Sequence, residues 1–165
     1  MSGKEKGSAH KTNALRQLEA MGVPCTIYTY DAPDGFLDGI SVAHATGLPP
    51  ERVFKTLVAQ GASRAYIVFV IPVAAELDLK KAASAAGEKS VAMIPAREIT
   101  AVTGYIKGGC SPVGMKKRFP TFIDESAALY GKIAVSAGRV GLQMELPAGD
   151  LRAATGGALA DLTVG

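Results

Sequence analysis

Apolar positions recur along the chain with two different periods, and the switches between them predict the elements. Ala14, Leu15, Leu18 and Met21 fall at three-to-four spacing, one face of a helix that Thr12 is suited to cap. Gly22 ends that helix and Pro24 prevents its resumption. Residues 25–30 change to a period of two, with Thr26, Tyr28 and Tyr30 on one side and Cys25, Ile27 and Thr29 on the other. Residues 31–38, rich in Pro, Gly and Asp, form a loop, and 41–46 a short helix that Gly47 stops. The clearest hairpin joins strands 53–60 and 65–71 through the tight connection 61–64. Its second strand is apolar on both faces, as a central strand must be.

Beyond the hairpin, a helix is expected from about 78 to 86, a strand over 91–94, and a helix that opens at Pro95. Residues 105–106 and 121–123 read as extended and 126–130 as helical. Strands over 132–136 and 142–146, a helix around 149–154 and a strand over 159–164 close the chain. Hairpins mixed with crossover helices predict an α+β fold with a mixed sheet, in one domain over 11–165. The polar, small residues 1–10 read as a flexible tail with no apolar stretch of a secretory signal.

No apolar run approaches the ~20 residues that a membrane-crossing helix needs. Cys25 and Cys110 require no disulfide, so a reducing, cytoplasmic setting is the simpler expectation. The net charge of +3 is too mild to imply a partner by itself. Its distribution says more, because Lys107, Lys116, Lys117 and Arg118 gather in one stretch. A solvated surface and a weak nucleic-acid contact both explain such a run.

The usual catalytic sets are absent. The histidines are His10 in the tail and His44 on a short helix, and no CxxC, HExxH, phosphate-loop or dinucleotide-binding motif occurs. No metal or cofactor is expected, because ligand-type residues never cluster. Two features stand out instead. The glycine-rich stretch 104–114 (GYIKGGCSPVG) can bring backbone N–H groups close to a ligand as an anion or oxyanion nest, or can be a plain turn. Lys55 interrupts an apolar strand on the same side as Val53 and Leu57, so it either holds a charge partner or protects a sheet edge. Cys110 has no histidine near it in sequence to activate a thiol.

Residues 54–57 (FKTL) with 104–117 resemble the YbaK/EbsC family of free-standing relatives of the editing domain of bacterial prolyl-tRNA synthetases. The likeness runs from about Lys11 to Val164, through residues 29–31, 79–83 (LKKAA), 108–112 (GGCSP), 116–118, 135–138 (VSAG) and 139–142 (RVGL). It implies a compact domain with a curled mixed sheet, a partial barrel, flanked by helices. It also implies deacylation of mischarged tRNA, most closely Cys-tRNA(Pro), with mischarged tRNA and a prolyl-tRNA synthetase as partners. By the same resemblance Lys55 is the essential residue and the loop at Gly108 and Gly109 surrounds the aminoacyl carbonyl. Tyr30, Phe36, Thr56, Ser111 and Ser136 would line the substrate pocket, with Lys107, Lys116, Lys117 and Arg118 as weak tRNA contacts.

The resemblance further implies that the substrate's own thiol attacks its ester carbonyl and leaves as a thiolactone, so the protein needs no nucleophile. Two alternatives stay open at this point. One is a non-catalytic tRNA or oligonucleotide binder on the same scaffold. The other is an editing enzyme for another small aminoacyl-tRNA such as Ala-tRNA(Pro).

Overall fold

The computed structural model describes residues 3–6, 11–33, 35 and 37–165. Helix α1 (Asn13–Ala20) starts where Thr12 caps it, its hydroxyl accepting from the Leu15 N–H at 3.1 Å. The same hydroxyl donates to the Ala137 carbonyl at 2.5 Å, so one side chain both starts the helix and pins it to a strand. Ala14, Leu15 and Leu18 are buried, whereas Met21 is exposed. Strand β2 (Thr26–Thr29) follows, then the loop and helix α2 (Gly39–Thr46), capped by Asp38 and ended by left-handed Gly47.

The hairpin forms as β3 (Phe54–Gly61) and β4 (Tyr66–Pro72), in register from Phe54 opposite Pro72 to Gln60 opposite Tyr66. Helix α3 (Leu79–Ala86), β5 (Val91–Met93), α4 (Ile99–Thr103) and β6 (Thr121–Asp124) come next. Strands β7 (Ile133–Arg139) and β8 (Leu142–Leu146), helix α5 (Ala148–Thr155) and β9 (Ala158–Ala160) complete the order. Pro95 stands one place before the 3₁₀ turn Ala96–Glu98 that leads into α4, and Glu125–Leu129 is likewise 3₁₀. Residues 105–106 lie in the loop after α4 and form no strand.

The strands divide into two sheets rather than one curled sheet. A four-stranded sheet runs β1 (Gly3–Lys6)–β2–β8–β7 and a five-stranded one runs β5–β3–β4–β6–β9. The first is antiparallel throughout, and the second is mixed because β4, β6 and β9 run parallel. The sheets touch at an isolated parallel bridge between Val53 and Ala134, and no barrel closes. Residues 3–6, expected within a loose tail, form β1 at the edge of the first sheet, paired with β2. A four-residue polar segment carries no hydrophobic period, so the sequence pattern gave no sign of this strand.

The main core fills the space between the sheets. Ile27, Val135, Leu142, Met144 and Leu146 meet Phe54, Val68, Val70 and Ile123 there, under α1 and α5. Ile67, Phe69 and Ile71 on the other face of the second sheet pack on Ala82 and Ala83 of α3, which explains why β4 is apolar on both faces. Asp124, 4% exposed, accepts from the N–H groups of Ser126 and Leu162, and Lys81 donates to Asp161 and the Thr163 carbonyl. These bonds hold the C-terminal segment against β6 and α3. Among the described residues no helix is long and apolar enough to cross a membrane.

Thr12→Ala removes a helix cap and the bond to β7 together. It should cost about 2 kcal/mol and lower the melting temperature by roughly 4–8 °C for a chain of this size. Thermal unfolding by circular dichroism measures this, and an unchanged transition would show that the cap carries no weight.

Candidate active site

Strand β5 covers β3 only from Ala59 to Gly61, so the first half of β3 has an uncovered edge. A cavity of about 290 Å³ opens there, lined along 53–57, and Tyr30, Ser136 and Gln143 reach it from the first sheet. Asp38, Gly39 and Val42 of the α2 region, Val73 and Ile99 form more of its wall, and Lys107, Gly108 and Cys110 approach from the loop after α4. Val53, Val73 and Ala43 pack together beneath α2 and hold that wall in place.

Lys55, Tyr30, Thr56, Ser136, Gly108 and Lys107 therefore converge on one cavity, although the sequence spreads them across the chain. Lys55 lies half-buried beside Leu57, and burial pushes its ammonium pKa down, an effect the negative Glu76 partly offsets. Tyr30 is buried and held by its N–H on the Gly141 carbonyl at 3.0 Å. Ser136 Oγ accepts from the Gly138 N–H at 3.1 Å, which fixes its position and leaves its hydroxyl proton to donate.

The glycines after α4 divide the work. Gly108 lines the cavity with a left-handed φ of 86°, a conformation that favours glycine. Gly109 lies outside the lining, and its N–H is spent on the Ile106 carbonyl at 3.0 Å. A Cβ on Gly109 would come within 2.9 Å of the Val140 nitrogen, so this residue serves close packing against the β7–β8 turn. Ser111 is fully buried behind the loop, where its Oγ accepts from the Val113 N–H, and it too is absent from the wall. Tyr105 braces the same loop by donating to the Val113 carbonyl at 2.7 Å. Phe36 lies outside the described residues.

A family model described as an aminoacyl-tRNA editing domain matches residues 40–154. The chain belongs to the aminoacyl-tRNA editing family. An Enterococcus faecalis (strain ATCC 700802 / V583) member, named as a candidate Cys-tRNA(Pro)/Cys-tRNA(Cys) deacylase EbsC, is 45% identical over 159 residues, 96% of this chain and 97% of that protein. Two solved structures share the fold. One is described as a candidate trans-editing enzyme for prolyl tRNA synthetase, with a TM-score of 0.79 at 24% identity over 94% of this chain and 99% of that one. The other, a hypothetical protein, has a TM-score of 0.83 at 23% identity over 93% and 100%.

In this editing domain the basic run does not act as one patch. Lys107 stands at the cavity, but Lys116 donates to the Ala101 carbonyl on α4. Lys117 and Arg118 border a second hollow of about 170 Å³, where Arg118 donates to the Ala154 carbonyl at 3.0 Å. Residues that the sequence did not single out also line the site, above all Gln143. The available signal was its place beside Glu145 in the pattern LQMEL, a polar alternation on a strand buried on both faces.

Cys110 reaches the cavity wall, yet burial pushes its thiol up to about 11, a rise that the neighbouring Thr103 side chain partly counters. His44 lines a different hollow with Gly47 and Pro50, so among the described residues no imidazole stands ready to take that proton. Cys110→Ser should therefore leave deacylation within a few-fold. Alkylation of Cys110 by iodoacetamide should be slow at pH 7 and rise with pH toward 11. Loss of more than about 1000-fold in an intact fold would instead mark a protein nucleophile.

Proposed function

We propose that this protein is a trans-editing deacylase that removes cysteine from mischarged tRNA(Pro) in the cytoplasm. One observation carries the reading: a small, largely apolar cavity holds a half-buried ammonium, while burial holds its one thiol in the protonated form. Such a site positions and polarises but supplies no nucleophile of its own. Its volume stands at the small end of ligand cavities, roughly 300–1,000 Å³, which suits a small amino acid on its ribose. The named activity of the Enterococcus relative points the same way.

The proposed chemistry uses a nucleophile in the substrate. The cysteinyl sulfur attacks its own ester carbonyl, the bond to the terminal ribose oxygen breaks, and the thiol proton passes to that oxygen. The products are a thiolactone and uncharged tRNA. Tethering the sulfur within the same residue makes the attack unimolecular, and the cavity has to hold the sulfur in line with the carbonyl for the four-membered ring to close. The protein's share is to hold the ester and to stabilise the charge that develops on the carbonyl oxygen. Lys55 and the Gly108 N–H are the positive groups we assign to that task. With the basic side chains dispersed, choice of tRNA falls to a partner, for which we propose a prolyl-tRNA synthetase.

A panel of mischarged tRNAs tests the function directly, with release expected from Cys-tRNA(Pro) and none from Pro-tRNA(Pro). Label that stays on Cys-tRNA(Pro) at micromolar protein would refute it, and release from Ala-tRNA(Pro) alone would redirect it. In the same assay Lys55→Ala should lose at least about 100-fold, and Lys55→Arg should fail too, since a planar fork does not replace a compact ammonium.

Stability should move the other way. The folded-state pKa of Lys55 is depressed, so the cost of its buried charge is present in full below that pKa and relieved as pH rises toward 10.5. Lys55→Met should accordingly melt at or above the wild type at pH 7, with the gap closing at alkaline pH. A variant melting ten degrees lower would make Lys55 a structural ion-pair partner.

A further inference from the structure

Among the described residues, Arg52 Nε, Thr56 Oγ1, Ser126 Oγ and Gln143 Oε1 are the buried side-chain polar atoms without a hydrogen-bond partner. Two of them, Thr56 Oγ1 and Gln143 Oε1, belong to residues of the cavity wall. Gln143 is 6% exposed and sits on β8 directly opposite Ser136 of β7. Buried polar atoms are nearly always paired, so orphaned acceptors beside a cavity mark where a ligand brings donors.

We propose that Gln143 Oε1, together with Thr56 Oγ1, receives the α-amino group of the aminoacyl end. The assignment rests on the deacylase reading and adds to it how the aminoacyl end is held and oriented.

The chemistry narrows the choice of donor. An aminoacyl ester offers its α-amino group, its side chain and the ribose hydroxyls. A thiol is a weak donor and must stay free to attack. Gln143 is among the most buried polar residues of the wall, which favours the aminoacyl end over the ribose that leads out to the tRNA. A neutral amide also suits this place better than a carboxylate, which would pair with the Lys55 ammonium on the same wall and quench it.

An α-ammonium carries enough N–H groups to satisfy both acceptors. Sites built to hydrogen-bond a substrate group reject analogues that lack it far more strongly than apolar pockets reject a changed shape.

The test compares wild type, Gln143→Met and Thr56→Val on cysteinyl-tRNA(Pro) and on its deaminated analogue, 3-mercaptopropionyl-tRNA(Pro). On the cysteinyl ester Gln143→Met should lower kcat/KM by about 10- to 100-fold, the effect of one hydrogen bond to a charged group. On the deaminated ester it should lose no more than about threefold, by the same logic. Its melting temperature should equal or exceed that of the wild type, because an orphaned acceptor is removed. Thr56→Val should show the same amine-dependent loss, so the assignment stays testable if Gln143→Met folds poorly. Equal losses on both esters, or no loss on the cysteinyl ester, overturn the assignment alone. Wild-type protein that cleaves neither ester overturns the deacylase reading, and the assignment falls with it.

Discussion

The uncovered edge of β3 is the constraint on which the site depends. Strand β5 is short and pairs only with the far half of β3, so residues 54–57 have β4 on one side and open space on the other. The first sheet approaches that space through the bridge from Val53 to Ala134, and α2 closes it from above through Val42 and Ala43. A longer β5 would pair this edge and fill the cavity. An open edge ordinarily invites association with another chain. Here it is shielded by the first sheet, by α2 and by the braced loop after α4, and becomes a binding wall instead.

The site's contents make sense as a trade of stability for positioning. A half-buried ammonium and orphaned acceptors are costly in an apolar enclosure, and none of them helps the domain fold. They are tolerated because the surrounding framework is strongly specified, with the main core fully enclosed between the sheets. The same enclosure strengthens their electrostatic effect on a developing oxyanion, since field strength rises as water is excluded. The thiol of Cys110 shows the other side of this environment, which keeps it neutral and inert.

The sequence made the local elements legible because local chemistry dictates them. Thr12 caps α1, Asp78 caps α3, and left-handed glycines end α2 and α3, each where the side chains predict. The hairpin and its doubly buried strand were equally plain in the run AYIVFVI. Long-range placement was not. The split into two sheets turns on a single bridge between residues far apart in the chain, and β1 is held by backbone pairing without a side-chain pattern.

For the site, the resemblance placed Lys55, Thr56, Tyr30, Ser136, Gly108 and Lys107, which the fold brings to one cavity. It gave no means to separate Gly108 from Gly109, because only the three-dimensional packing of Arg139 and Val140 against Gly109 tells them apart. Gln143 went unnoticed for a related reason. A glutamine in a strand means little until its oxygen is seen to lack a partner.

The central claim is that the cavity positions a substrate which supplies its own nucleophile. Single-turnover cleavage of cysteinyl-tRNA(Pro) compared with S-methylcysteinyl-tRNA(Pro) tests it most directly, since methylation blocks the attacking sulfur and leaves the amine, ester and tRNA unchanged. The account predicts release from the first and a rate on the second reduced by at least about 1000-fold, toward that of the protein-free ester, since the nucleophile itself is blocked. Comparable rates on both would contradict it and place the attacking group in water or in the protein.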